Sequence, residues 1–491
     1  MIDLASVLAA LALLIVLAYR GVTLLIAAPA AALLAALLTG GLPILGAYTQ
    51  IFMTNTGSFI IAFFPLFMLG AIFGKLMDDT GAARSLARMV SARLGPERAV
   101  VSVVLCCAVL TYGGVSAFVV AFAIYPVAAA LFRDADIPKR LIPGALALGA
   151  FTFTMSALPG TPAIQNAIPM PFLGTTAFAA PGLGIVTGLM MFVLGVLWLD
   201  RRAAAARASG EGYGNHVDSP PALDRATRER AQCEGFDIAE LSAEPTPRER
   251  ADTETLPPSA LAVLPVVVVI AGNFLFIQVI APRMDTAFLA DPRFGSTTIE
   301  AVRGVWAVIV ALFLAILLLI ASNWNRLDDL RTSLDKGADA SVLPIFSTAS
   351  LVGFGAVVAA LPVFEAISQA MLAVGGGNPL VSVAASVTVL SAITGSASGG
   401  MSIALDTLGP TFVGMAQASG VSLDVMHRVT AVASGALDAL PHNGAVITLL
   451  TVCRLNHRDS YGDVFVVAAA IPMLALIVLI ILASLFKRLG I

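Results

Sequence analysis

Charged residues are scarce in this chain of 491 residues: Asp, Glu, Lys and Arg together make up 12%, about half of the roughly 25% found in soluble domains. A soluble globule of this length needs that polar coat, and a disordered chain needs low hydrophobicity, so 58% hydrophobic content excludes both. Positive charge is not in excess either. The 28 Lys and Arg stand against 31 Asp and Glu, which excludes the basic footprint of a nucleic-acid binder. Cysteine is rare, and Cys106, Cys107, Cys233 and Cys453 form neither a disulfide framework nor a zinc pattern. They read as small apolar residues. The four histidines, His216, His427, His442 and His457, never stand in H-E-x-x-H. No metal and no cofactor is expected. What the chain has in abundance is apolar runs, and its solvent is a lipid bilayer.

The opening MIDLASVLAALALLIVLAYR has no positive n-region and an apolar core as long as a span, so it reads as a retained membrane helix over 3–19. Further single spans are predicted at 22–39, 58–76, 183–199, 259–282, 302–321, 341–360 and 463–486. Four stretches, 100–132, 141–172, 378–416 and 422–453, are too long for one crossing and carry Gly, Pro or Ser clusters near their middles. With 100–132 and 378–416 as returning hairpins and 141–172 and 422–453 as broken crossings, 22 of the 28 Lys and Arg fall on one side. Basic loops stay cytoplasmic, so both termini face outward. Residues 201–257, rich in Ala, Arg, Glu and Pro, cannot bury enough apolar area to fold alone and read as a mostly disordered cytoplasmic linker. The expected organisation is a first membrane repeat over 1–200, this linker, and a second repeat over 258–491.

The repeat rests on one offset. Ser156-Ala157-Leu158-Pro159 and Asp438-Ala439-Leu440-Pro441 share A-L-P 282 residues apart. The same shift carries Gly113-Gly114-Val115-Ser116 onto Gly395-Ser396-Ala397-Ser398. Loop charge makes the two copies antiparallel. The fold class is therefore an all-α polytopic membrane protein with two inverted repeats, each with a re-entrant helical hairpin and a broken transmembrane helix. Paired broken segments of this kind point to a secondary transporter with its site between the repeats.

Breaks survive in a bilayer only where they face protein or a wet cavity. Pro159, Pro162 and Pro441 remove amide donors and open their helices. The exposed N–H groups at half-helix N-termini suit a small anion. Gly113, Gly114, Gly395 and the hydroxyls of Ser116, Ser396 and Ser398 stand at the hairpin turns, while Thr161, Gln165, Asn166 and Asn443 stand at the helix breaks. Amides and hydroxyls both donate and accept, which fits a hydroxylated carboxylate. Close packing of small residues and inter-helix hydrogen bonding explain the same residue types equally well. Asp438 and His442, four apart around the second break, are the candidate proton carriers, since ionisable groups at that depth are costly. A structural Asp–His hydrogen bond is the competing reading. Asp406 is a weaker candidate.

The string LGAFTFTMSALPGTPAIQNAIPMPFLG at 148–174, with TGSASGGMSIALD and SGALDALPHNGAVITLL in the second half, resembles the gluconate permease (GntP) family of bacterial organic-acid:proton symporters. That resemblance implies an inner-membrane carrier of the ion-transporter superfamily type that works as a homodimer with elevator-like motion. It implies a gluconate-like sugar acid or a 3-hydroxybutyrate-like acid as substrate, with H+ as the coupling ion. The sequence leaves Na+ coupling open, because backbone carbonyls at breaks also hold Na+. It also leaves open an intramembrane serine hydrolase, with Ser396 or Ser398 as nucleophile and His442 as base, and a channel. Its partners are then the organic anion, the coupling ion and the lipid bilayer, with no nucleic acid.

Overall fold

The computed structural model describes residues 2–216 and 256–489, apart from Gly21, Gly41, Ser116, Asp328 and His442. Among the described residues there are helices and turns and no strand. Six helices among the described residues are long and apolar enough to cross a membrane: Ile44–Asp79, Pro181–Ala208, Ser259–Arg283, Ile299–Ser322, Leu330–Ala359 and His457–Leu485. Ile2–Tyr19 and Leu24–Thr39 form the two expected helices that precede them. The chain is an all-α polytopic membrane protein.

Three helices, Ile44–Asp79, Leu330–Ala359 and Pro181–Ala208, run well past their expected limits. Ile44–Asp79 starts 14 residues before the predicted 58. Its early turns are too polar to read as a span, but the polar side chains bond to their own helix. Thr49 Oγ1 donates to Leu45 O (2.6 Å), Asn55 Nδ2 to Ile51 O (2.8 Å) and Ser58 Oγ to Thr54 O (3.0 Å). Such back-bonding satisfies donors without needing water. This helix packs along Leu330–Ala359 through glycines. A Cβ at Gly337 would lie 2.7 Å from Ile72 Cα, and one at Gly353 only 2.5 Å from Thr56 Oγ1. Thr56 Oγ1 seals the crossing by donating to Ala349 O (3.2 Å). Without a hydrophobic force between helices in lipid, close backbone approach and such hydrogen bonds hold the pair.

The order of elements occurs twice. Two helices, a long helix, a short surface helix, a hairpin, a broken helix and a final long helix fill residues 2–208 and again 259–489. The short surface helices Ala82–Leu94 and Phe364–Val374 begin 282 residues apart, the offset read from the motifs. The hairpins are Ala99–Tyr112 with Ala117–Asp134 and Pro379–Thr394 with Ala397–Ser419. The second turns at Gly395 (φ 65°), and a Cβ at Gly400 would stand 2.2 Å from Ser391 N. Only glycine lets the two arms touch there.

The polar insert begins differently from expectation. Residues 201–208 continue the helix Pro181–Ala208, and 211–216 dock on the base of the first hairpin. Glu211 holds Arg140 by two bonds (2.7 and 2.9 Å), Tyr213 N donates to Asp136 Oδ1 (2.9 Å), and Arg133 lies 5.3 Å over the Tyr213 ring. At the far end Pro257 O accepts from Ser85 Oγ (2.7 Å). The remainder of the insert, 217–255, lies outside the described residues.

Candidate functional site

The first broken helix runs through Ile142–Ala150, makes one turn at Phe153–Ser156, opens over 157–163 and resumes at Ile164–Ala167. Pro159 and Pro162 cannot donate, and Gly160 takes φ 84°. The freed groups are met from several directions. Tyr112 Oη, at the end of the first hairpin arm, donates to Pro159 O (2.5 Å), and Gly160 N donates to Ala177 O (2.8 Å). Asn166 Nδ2 closes the loop by donating to Thr161 O and Ala177 O, both at 3.0 Å. The hairpin turn itself rests on the break, since a Cβ at Gly114 would lie 2.8 Å from Pro162 Cγ.

The second broken helix, Leu423–Ser434 and Gly444–Val452, uses the same device. Asn443 Nδ2 donates to Asp438 O and to Gly395 O, both at 2.7 Å, while its Oδ1 caps the next helix by accepting from Ala445 N (2.6 Å) and Val446 N (3.3 Å). In each break an Asn therefore reaches back five residues to a carbonyl and sideways to a neighbouring turn. Asp438 is partly buried, and its carboxylate faces the backbone N–H groups of Asp438 and Ala439, with no side chain among the described residues bonded to it.

The breaks meet. A Cβ at Gly435 would lie 3.7 Å from Ser156 Oγ. Ile164–Ala167 touches the second hairpin and Gly444–Val452 touches the first, so each hairpin serves both breaks. Arg428 fastens the crossing. It is fully buried, and all five of its N–H groups are used. Nε donates to Ala179 O (3.2 Å), Nη1 to Ser156 O (3.1 Å) and Asn166 Oδ1 (3.0 Å), and Nη2 to Ala177 O (3.3 Å) and Ala179 O (2.9 Å). Burying a guanidinium costs several kcal/mol. Five bonds from a charged donor, roughly 1.5–3 kcal/mol each, offset that. Beside it His427 lies between Thr175 Oγ1 (2.6 Å from Nδ1) and Asn166 Oδ1 (3.2 Å from Nε2). The amide oxygen of Asn166 can only accept, so Nε2 carries a proton, while Thr175 Oγ1 can either donate to Nδ1 or accept from it.

The predicted residues divide accordingly. Gly113, Gly114, Thr161, Gln165 and Asn166 gather at the first break, and Gly395, Ser396, Ser398, Asp438 and Asn443 at the second. Ser116 and His442 lie outside the described residues. Asn166 and Asn443 spend all their hydrogen bonds within the protein, and Ser396 Oγ caps its helix through Gly399 N (3.2 Å). Gln165 Oε1 is buried without a partner, and so is Oδ1 of Asn273, whose Nδ2 reaches Gly160 O at 3.5 Å from the second half. Sequence reasoning missed Arg428, His427, Tyr112 and Asn273. In the charge count Arg428 is one of the six Lys and Arg on the side opposite the 22. Its place inside the apolar run 422–453 was the signal available. Among the described residues no three His, Cys, Asp or Glu gather as a metal would need.

No protein-family model matches the chain. It is 42% identical over 472 residues to the uncharacterized transporter YxjC of Bacillus subtilis strain 168, spanning 95% of each chain. The chain belongs to that transporter family. Among solved structures, the YdaH transporter of Alcanivorax borkumensis, reported for an unusual topology, covers 90% of this chain and 88% of its own at 16% identity and a TM-score of 0.53. MtrF of Neisseria gonorrhoeae, described with a class of antimetabolite efflux pumps, covers 89% and 83% at 14% identity and a TM-score of 0.51. The transporter shares their fold.

Proposed function

We propose that this transporter is a secondary active carrier of the bacterial inner membrane that imports a small hydroxy-carboxylate, gluconate-like or 3-hydroxybutyrate-like, by proton symport. The observation that carries the reading is the crossing of two helix breaks, one from each half, at Ser156 and Gly435. A site made at such a crossing is reachable alternately from either side if one group of helices moves. Support for an elevator comes from the packing. The helices 2–39, 44–79, 259–283, 299–322 and 330–359 pack on one another, while the hairpins, broken helices and the helices 181–208 and 457–489 form a second body. They meet along glycines: Gly304 on Met170 and Thr175, Gly355 on Ile403, and Gly399 on Leu351. The carrier works as a homodimer in the bilayer, with 1–200 and 258–491 as its inverted repeats and 201–257 as a cytoplasmic linker.

Asp438 is the proton carrier in this reading, since its carboxylate stands at the break without a paired cation among the described residues. Asp438→Asn keeps the shape and removes the charge. The expected outcome is loss of pH-driven accumulation with retained exchange of labelled substrate at equal pH, measured in proteoliposomes. A mutant that still concentrates substrate in a pH gradient overturns this role. Sodium coupling is the second reading, favoured by the unpartnered oxygens of Gln165 and Asn273. A sodium gradient that drives uptake without a pH gradient decides for it.

A further inference from the structure

Among the described residues no Lys or Arg lies free where the breaks cross, yet a full positive charge is fixed at the edge of that site. Arg428 sits on the first half of the second broken helix and grips the opposite break. Its partners are three backbone carbonyl oxygens, of Ser156, Ala177 and Ala179, and the amide oxygen of Asn166, with Ala179 O accepting twice. None of these is a carboxylate. Every N–H is spent, so the guanidinium offers a substrate no hydrogen bond, but its charge is not cancelled by an ion pair. Its nearest acidic neighbour on the same helix is Asp424, one turn away at the exposed helix start. Its neighbour His427 is also occupied within the protein, by Thr175 Oγ1 and Asn166 Oδ1.

We propose that Arg428 is a specificity-determining residue that selects a monoanionic substrate through its charge alone, without touching it. This rests on the carrier reading and names what that site prefers. The argument is one of dielectric. The Ser156 carbonyl that Arg428 holds belongs to the residue where the breaks cross. A unit charge within about 10 Å, at an effective dielectric constant of about 20, changes the binding of a monoanion on the order of tenfold. A neutral ligand of the same shape feels almost none of this. A second anionic charge would gain as much again but would have no N–H donor to receive it, and its desolvation would go unanswered. The cage therefore favours one negative charge over none or two.

The test compares 3-hydroxybutyrate with its uncharged amide, 3-hydroxybutyramide, by the thermal shift each gives the purified, full-length protein. Wild type is expected to prefer the acid by at least about tenfold in apparent Kd. Arg428→Gln is expected to bring acid and amide within about twofold of each other, and Arg428→Lys to keep the preference, because it keeps the charge while losing most of the cage. If folded Arg428→Gln retains the wild-type preference, or folded Arg428→Lys loses it, the charge is not the determinant. Should neither variant fold, Asp424→Lys leaves the cage intact and adds positive charge one turn away. It is expected to tighten the acid by about twofold and leave the amide unchanged, and no change in either overturns the proposal. A wild type that binds neither compound contradicts the carrier reading for this substrate class instead, so the two failures are distinct.

Discussion

At the scale of single residues, two asparagines and one arginine hold the breaks open. Asn166 donates twice and accepts twice, so Asn166→Ala strips a donor from two carbonyls and an acceptor from the Arg428 and His427 N–H groups. At about 1–3 kcal/mol for a buried group left unsatisfied, the net cost is about 2–4 kcal/mol once neighbours relax. Asn443→Ala loses a helix cap, worth about 1 kcal/mol, and two donated bonds near a partly exposed break. The expected outcome is a lower melting temperature in detergent for both variants, larger for Asn166→Ala. An equal or reversed order contradicts the stitched-loop account. These asparagines were legible in the sequence because polar residues beside prolines in an apolar run stand out. That they serve the loops before any ligand was not legible, since the partners of Asn166 include residues 261 and 262 positions away. Arg428 was hidden by the opposite effect: less than two turns past the N-cap Ser422, it reads as loop charge until its cage is seen.

At the scale of elements, the hairpins and broken helices were legible because length and small-residue clusters alone exclude a single crossing. The first turns of Ile44–Asp79 were not, since the polar stretch 49–58 looks like a loop until its side chains are found bonded to their own backbone. The docked segment 211–216 was also invisible, its contacts being made to residues some 70 positions earlier. Arg140 beside Glu211 holds the glutamate carboxyl below its ordinary value of 4.5, and the same hydrogen bond raises the arginine. The clip therefore contributes its full stabilisation above about pH 4.5 and loses it as pH falls through the lowered value. Because Glu211 is exposed, the contribution is small, about 0–1 kcal/mol. Glu211→Gln is expected to speed hydrogen exchange at 211–216 near pH 7. The gap from wild type should close as the pH falls below 4.5. A gap that widens in acid contradicts the assigned pair.

At the scale of the whole molecule, the account depends on two copies of one helix order facing opposite ways. Moving Arg428 from the outer loops into a buried cage leaves 22 Lys and Arg against 5, so the sidedness is strengthened. In a variant lacking Cys233, with the buried Cys106, Cys107 and Cys453 kept, Ala92→Cys is expected to react only with reagents that enter the cytoplasm. Ala290→Cys is expected to react from outside. Labelling of position 92 from outside contradicts the antiparallel arrangement. The central claim is that the crossing breaks carry a small hydroxy-carboxylate by alternating access. Counterflow tests it most directly: proteoliposomes loaded with unlabelled 3-hydroxybutyrate or gluconate are diluted into a trace of the labelled acid at equal pH. The account predicts a transient accumulation of label above equilibrium for at least one of the two, which needs a site that binds on one side and releases on the other. Uptake that rises only to equilibrium, or no uptake of either acid while other compounds exchange, would contradict it.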